Sequence, residues 1–349
     1  MVLLFVSSGL FLGWALGANN AANLFGTAVR SRMLRFQTAA IVCGAFCVLG
    51  AVAGGAGPTE TLARLGSVST AAGAFMVALA AAVAVYTVLR RVALPVSTPQ
   101  AIVGAIIGWN VFAGSPTEVA TVRRIVLSWV VSPLLAAAFA AALFVALAAF
   151  LRRARLHLLR VDAITRLSLI AVGAFASYSL GANNIANVMG VFVPALRIGA
   201  VRLPGIGEIS GAQQLFFLGG LAIAVGLYTY SHRVIDRVTE TVSDLSPLAA
   251  LVVVLAESLV LFLFSSQSLE TFLVHHHMPR FPLVPVSASQ AFVGALLGIG
   301  LVKGTQTVRF RLLGEIAVGW IVAPVLAAVV AFVGLFFLQN VFGLAVVAR

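Results

Sequence analysis

The chain has 349 residues, 61% of them hydrophobic and only 9% charged, with a formal net charge of +12. About a quarter of the residues in a soluble domain are charged, so this composition excludes one and marks an integral membrane protein. The positive balance does not indicate nucleic acid, because the basic residues are scattered in short connections and no soluble domain gathers them into a patch.

Apolar runs of about 20 residues fill most of the chain, each long enough to cross a ~30 Å hydrocarbon layer as a helix. Lipid offers no partners to an open sheet, and the runs lack the alternation of barrel strands. The expected fold class is an all-α integral membrane protein. The first 18 residues resemble a signal peptide, with small residues at Ala15 and Ala18, but they lack a basic start. They are expected to form the first membrane helix, ending in Gly-Ala-Asn-Asn-Ala-Ala-Asn at residues 17 to 23. Cys43 and Cys47, the only two cysteines, share a helix face and read as small packing residues. Pro-Val-Ser-Thr-Pro-Gln begins at Pro95, and a long apolar run containing Trp129 and Pro133 follows. A basic stretch then leads to Gly-Ala-Asn-Asn-Ile-Ala-Asn at 181 to 187, Pro-Val-Ser-Ala-Ser-Gln at 285 to 290, and a run containing Trp320 and Pro324.

Three blocks therefore recur in the same order, and the chain is a duplication. The first repeat is expected to cover 1–151 and the second 165–349, with 152–164 as a basic cytoplasmic connection. About five membrane segments per half, with the amino and carboxyl termini outside, place most Lys and Arg on the inside. The inside groups are Arg30, Arg32 and Arg35; Arg90 and Arg91; Arg152, Arg153, Arg155, Arg160 and Arg166; Arg233 and Arg237; and Lys303, Arg309 and Arg311. An odd number of crossings per half makes the repeats inverted, a common transporter architecture that binds substrate near the midplane. The Pro95 and Pro285 segments are expected either to span or to re-enter as hairpins, and Pro133 and Pro324 to kink or break their helices.

The blocks bring amides and hydroxyls into apolar surroundings. Asn19, Asn20 and Asn23, like Asn183, Asn184 and Asn187, can share a helix face and offer N–H groups to an anion or oxygens to a cation. The alternative is interhelical polar glue, but two such breaks in matching positions fit a binding site. Ser97-x-x-Gln100 and Ser287-x-x-Gln290 match capping boxes, whose free N–H groups suit an oxyanion; Thr98 and Ser289 add hydroxyls. Gly104-x-x-x-Gly108 and Gly294-x-x-x-Gly298 read as close-packing faces. Glu257 and Glu315, in or near spans, are candidates for proton coupling, with an interfacial or structural role as the alternative. His275, His276 and His277 do not converge as metal ligands and read as a solvated loop. No Ser/His/Asp set, His-Glu-x-x-His or phosphate-cradling Gly-x-x-x-x-Gly-Lys loop occurs, so neither an enzyme nor an ATP-driven pump is expected.

At both Gly-Ala-Asn blocks and both Pro-Val-Ser blocks, in this order, the chain resembles the PiT family of inorganic phosphate transporters. The resemblance implies an inverted-repeat fold with helical hairpins, an oxyanion site built from both halves, and a homodimer. The function it implies is symport of inorganic phosphate with Na⁺ or H⁺ by alternating access in the plasma membrane. The family usually has Asp where this chain has Asn20 and Asn184, and Thr-Thr-His where it has Thr98-Pro99-Gln100 and Ala288-Ser289-Gln290. Amides in place of carboxylates weaken a Na⁺ site near Asn20 and Asn184, although neutral oxygens still serve as ligands. A sulfate permease of the same fold is the runner-up, followed by a passive anion channel and a scaffold whose amides only pack.

Overall fold

The computed structural model describes residues 2–66, 68–92, 96–154, 157–204, 207–229, 246–304 and 310–347. Pro95, Arg155, Arg233, Arg237 and Arg309 of the sequence reading lie outside these. So do the side chains of Arg30, Arg311 and Glu315, whose backbones are helical.

Helix α1 (Val2–Ala21) runs into a single π-helical turn, Ala22–Gly26, and a short α2 (Thr27–Arg30). The first half continues with α3 (Phe36–Gly54), α4 (Ala56–Ala63), α5 (Ala71–Val92), α6 (Thr98–Ala113) and α7 (Val119–Ala154). The second half has α8 (Leu158–Met189), α9 (Phe192–Ala195), α10 (Gly211–Thr229), α11 (Pro247–Leu263), α12 (Gln267–His275), α13 (Ala288–Lys303) and α14 (Phe310–Asn340). Among the described residues, seven helices are long and apolar enough to cross a membrane, or eight if α11 and α12, bent by 68°, form one span.

Four features depart from the sequence reading. The all-α fold carries one antiparallel hairpin, β1 (Val201–Leu203) with β2 (Gly207–Ile209). The 152–164 connection is mostly helix, since α7 runs to Ala154 and α8 starts at Leu158. Pro133 and Pro324 break neither α7 nor α14, because one missing N–H in a long buried stripe leaves the helical path available. His275 closes α12 instead of lying in a loop, although all three histidines are exposed.

Helix packing follows the duplication. α1 packs on α5 as α8 packs on α11, and α3 on α8 as α10 on α1. The arms are exchanged between repeats: α6 lies along α14, and α13 along α7. Close backbone approach sets these crossings. A Cβ at Gly104 would stand 2.2 Å from the Pro324 carbonyl oxygen, and one at Gly294 would stand 2.1 Å from that of Pro133. Gly108 meets Ala328 and Gly298 meets Ala137 in the same way, so both Gly-x-x-x-Gly faces are packing faces. Gly17 likewise abuts the Ile223 carbonyl and Gly181 that of Cys47, which pins α1 to α10 and α8 to α3. The two cysteines accordingly pack as small residues, buried and free.

At 16 residues each, α6 and α13 are about 24 Å long, shorter than the ~30 Å hydrocarbon layer. Their first turns, Thr98–Gln100 and Ala288–Gln290, are fully buried. Both helices thus begin deep in the protein, as hairpin arms do.

Candidate functional site

Each Gly-Ala-Asn block lies where a first-repeat or second-repeat leading helix approaches the lead-in to a hairpin arm. The first amide of each block holds that lead-in. Asn19 Nδ2 donates to the Val96 carbonyl at 2.8 Å, and Val96 N–H donates back to Asn19 Oδ1 at 3.0 Å. Asn183 repeats the arrangement, donating to the Val284 carbonyl at 3.2 Å and accepting from Val286 N–H at 2.9 Å. An extended segment inside a membrane protein needs partners for its backbone groups, and a side-chain amide supplies one donor and one acceptor at once. Asn19 and Asn183 are therefore clamps, and their amides are engaged at both ends.

Among the described residues, the remaining amides are not so engaged. Asn20 Nδ2 donates to Leu16 O at 2.9 Å, leaving Oδ1 unpartnered. Asn23, on the π-helical turn, has neither amide atom paired. Asn187 Nδ2 donates to Asn184 Oδ1 at 3.1 Å, which leaves Asn184 Nδ2 and Asn187 Oδ1 free. The π-turn also breaks the symmetry between the blocks, because α8 stays α-helical through Met189.

The helix starts add to the set. Ser287 Oγ accepts from Gln290 N–H at 3.3 Å and shares a 3.0 Å hydrogen bond with Ser289 Oγ. The reciprocal half of that capping box is absent, because Gln290 Oε1 has no partner. Ser97 does not cap α6 through its side chain; its hydroxyl, Thr98 Oγ1 and Gln100 Oε1 are all unpartnered. Of the two expected capping boxes, the one at Ser287 is half formed and the one at Ser97 is not formed, since neither glutamine carbonyl oxygen closes back on its helix start among the described residues.

None of the twelve Asn, Ser, Thr and Gln candidates is more than 5% exposed. Each unpaired buried polar atom costs about 1–3 kcal/mol, so their concentration on the two repeated blocks is a store of unmade hydrogen bonds. The halves meet here, with the π-turn and α6 both against α8. Glu257, on α11, is 1% exposed with both carboxyl oxygens unpaired among the described residues, and its polar neighbour is Asn23 from the other repeat. Glu315 falls on α14, away from the hairpin starts in sequence, and its side chain is not among those described. By contrast, the 360 Å³ groove between α3 and α10 has an almost wholly apolar lining, including Ala40, Ile41, Val48 and Leu221, and is unsuited to an oxyanion.

Three features were missed from sequence. The clamping role of the first Asn in each block is invisible, because its neighbours in sequence are further amides. Glycines Gly44 and Gly50 on α3 match Gly220 and Gly226 on α10 in their contacts, a fourth repeated element whose signal was two letters in a varied apolar run. The unpaired indole N–H groups of Trp129 and Trp320 were signalled by their matched positions but were not read as polar groups.

A profile of the phosphate transporter family matches residues 16–161, 152–331 and 280–347. A Methanocaldococcus jannaschii protein described as a candidate phosphate permease is 27% identical over 324 residues, covering 93% of each chain. The chloroplastic inorganic phosphate transporter 2-1 of Arabidopsis thaliana is 23% identical over 426 residues, covering 93% of this chain and 70% of its own. A solved structure of the sodium-dependent phosphate transporter superposes with a TM-score of 0.74 at 21% identity, over 96% of this chain and 99% of that one, a likeness of fold.

Proposed function

This chain belongs to the phosphate transporter family, and we propose on that premise that it is a secondary transporter that carries inorganic phosphate by alternating access, coupled to protons. The observation behind this reading is the set of unpaired buried polar atoms on both repeated blocks. Asn20, Asn23, Asn184 and Asn187 hold the anion from the leading helices, and Ser97, Thr98, Gln100, Ser287, Ser289 and Gln290 hold it from the hairpin starts. Asn19 and Asn183 fix the backbone that carries those starts.

Burial supports alternating access over a channel, since side chains this sealed require a rearrangement before either aqueous phase reaches them. Positions 20 and 184 are amides instead of the carboxylates that favour a hard cation. Glu257 supplies an acid at depth, where ionisable groups serve ion and proton pathways. It takes a proton from the outside phase and releases it inside once per cycle. The plasma membrane, outside termini and a homodimer complete the proposal.

Labelled phosphate uptake into proteoliposomes, with pH and Na⁺ gradients imposed separately, tests it. Accumulation is expected under an inward proton gradient and not under Na⁺ alone, with sulfate a weak competitor. Sulfate accumulated in preference to phosphate would make the protein a sulfate permease. No accumulation of either anion under either gradient would overturn the symport reading.

A further inference from the structure

The exchanged arms carry an unused donor and an unused acceptor at the same helical level, twice. α7 and α13 touch at Pro133 against Gly294 and again at Ala137 against Gly298. Both contacts advance by four residues, so the two helices run parallel and in register. One turn before the first contact stand Trp129 on α7 and Gln290 on α13, each on the stripe that faces the other helix. The same holds for α14 and α6: Pro324 meets Gly104 and Ala328 meets Gly108, so Trp320 and Gln100 stand level. At all four positions a buried polar atom is unpaired among the described residues: Nε1 of Trp129 and Trp320, and Oε1 of Gln290 and Gln100. The indole nitrogen only donates, and the glutamine carbonyl only accepts.

We propose that Trp129 and Trp320 are positioning residues for anion recognition: each indole N–H donates to the carbonyl oxygen of its level glutamine, Gln290 or Gln100, when the anion is bound. The inference rests on the transport reading above and adds to it how the site chooses its substrate. A glutamine amide presents either an acceptor or a donor to a ligand, and free rotation would leave that choice open. An indole that occupies the carbonyl oxygen leaves the amide NH₂ facing the anion. The two glutamines then act as donors only, which favours the more fully ionised form of phosphate, while acceptors for a phosphate proton are left to the asparagines and to the Ser and Thr hydroxyls. Each glutamine has one competing partner at this level, the backbone carbonyl of Trp129 or Trp320, which the proline four residues later leaves without a helical donor.

The indole N–H vibration in ultraviolet resonance Raman spectra of the detergent-solubilised parent protein reads the bond directly. Phosphate is expected to shift part of that band towards stronger hydrogen bonding, and Trp129→Phe and Trp320→Phe each to remove part of the shift. Phenylalanine keeps an aromatic ring and the backbone carbonyl but deletes the donor. Each variant is expected to weaken phosphate binding about three- to tenfold, as the loss of one hydrogen bond does. Each should also flatten the preference for the more ionised form of phosphate across pH. In a double-mutant cycle, Trp129→Phe should cost nothing further in a Gln290→Leu background. An indole band unmoved by bound phosphate, or additive losses in the cycle, overturns the pairing alone. A parent protein that binds no phosphate overturns the transport reading and this inference with it.

Discussion

Alanine at Asn20 or Asn184 is expected to weaken phosphate uptake about ten- to a hundredfold, with a smaller loss of thermal stability than alanine at Asn19 or Asn183. Each amide has a free atom in the buried site, and a hydrogen bond to a charged ligand contributes about 1.5–3 kcal/mol. Alanine one position earlier, at Asn19 or Asn183, should act in the opposite way. It strands a backbone N–H and a carbonyl of the hairpin lead-in inside the protein, at a cost of about 2–4 kcal/mol of stability, and the unfolding temperature should fall before any binding is measured. Uptake measured beside thermal melts separates these outcomes. If the four substitutions give one common phenotype, the division of each block into clamp and binding residues is wrong.

Glu257→Gln is expected to abolish phosphate accumulation driven by a proton gradient and to preserve exchange of external for internal phosphate. Glutamine keeps the shape and a hydrogen-bonding end but holds no exchangeable charge at that position. It should leave stability equal or higher, because it removes an ionisable group whose carboxyl oxygens have no hydrogen-bond partner among the described residues. Loss of exchange together with accumulation would assign Glu257 to the anion site, and unchanged proton-driven accumulation would take it out of coupling altogether.

The duplicated blocks made much of this fold legible, since amides and proline-serine starts in an apolar chain stand out and their order fixes which helices are equivalent. The Gly-x-x-x-Gly faces were likewise readable as packing surfaces. Their partners were not: nothing in Gly104 or Gly294 says that the opposing helix belongs to the other repeat, because a glycine accepts any backbone that comes close. The site was readable as a set of residue types but not as a division of labour. Asn19 and Asn20 carry the same chemistry one position apart, and helix rotation alone turns one to the lead-in backbone and the other to the site. The π-turn at Ala22–Gly26 was equally hidden, because Gly-Ala-Asn-Asn-Ile-Ala-Asn in the second repeat stays α-helical with nearly the same letters. The capping boxes form only in part, through the Ser287 hydroxyl, for a related reason. Ser-x-x-Gln permits a reciprocal cap, but here both glutamine carbonyls stay free for a partner outside their own helix start.

On the proposed mechanism, one buried site, built by both repeats, is presented to each side of the membrane in turn. Counterflow tests it most directly: proteoliposomes loaded with unlabelled phosphate are diluted into a trace of labelled phosphate with no ion gradient. The expected result is a transient accumulation of label above equilibrium, faster than entry into unloaded vesicles and absent in the Asn20→Ala, Asn184→Ala double variant. Label that only equilibrates, at a rate indifferent to internal phosphate, would contradict alternating access and leave a passive anion channel.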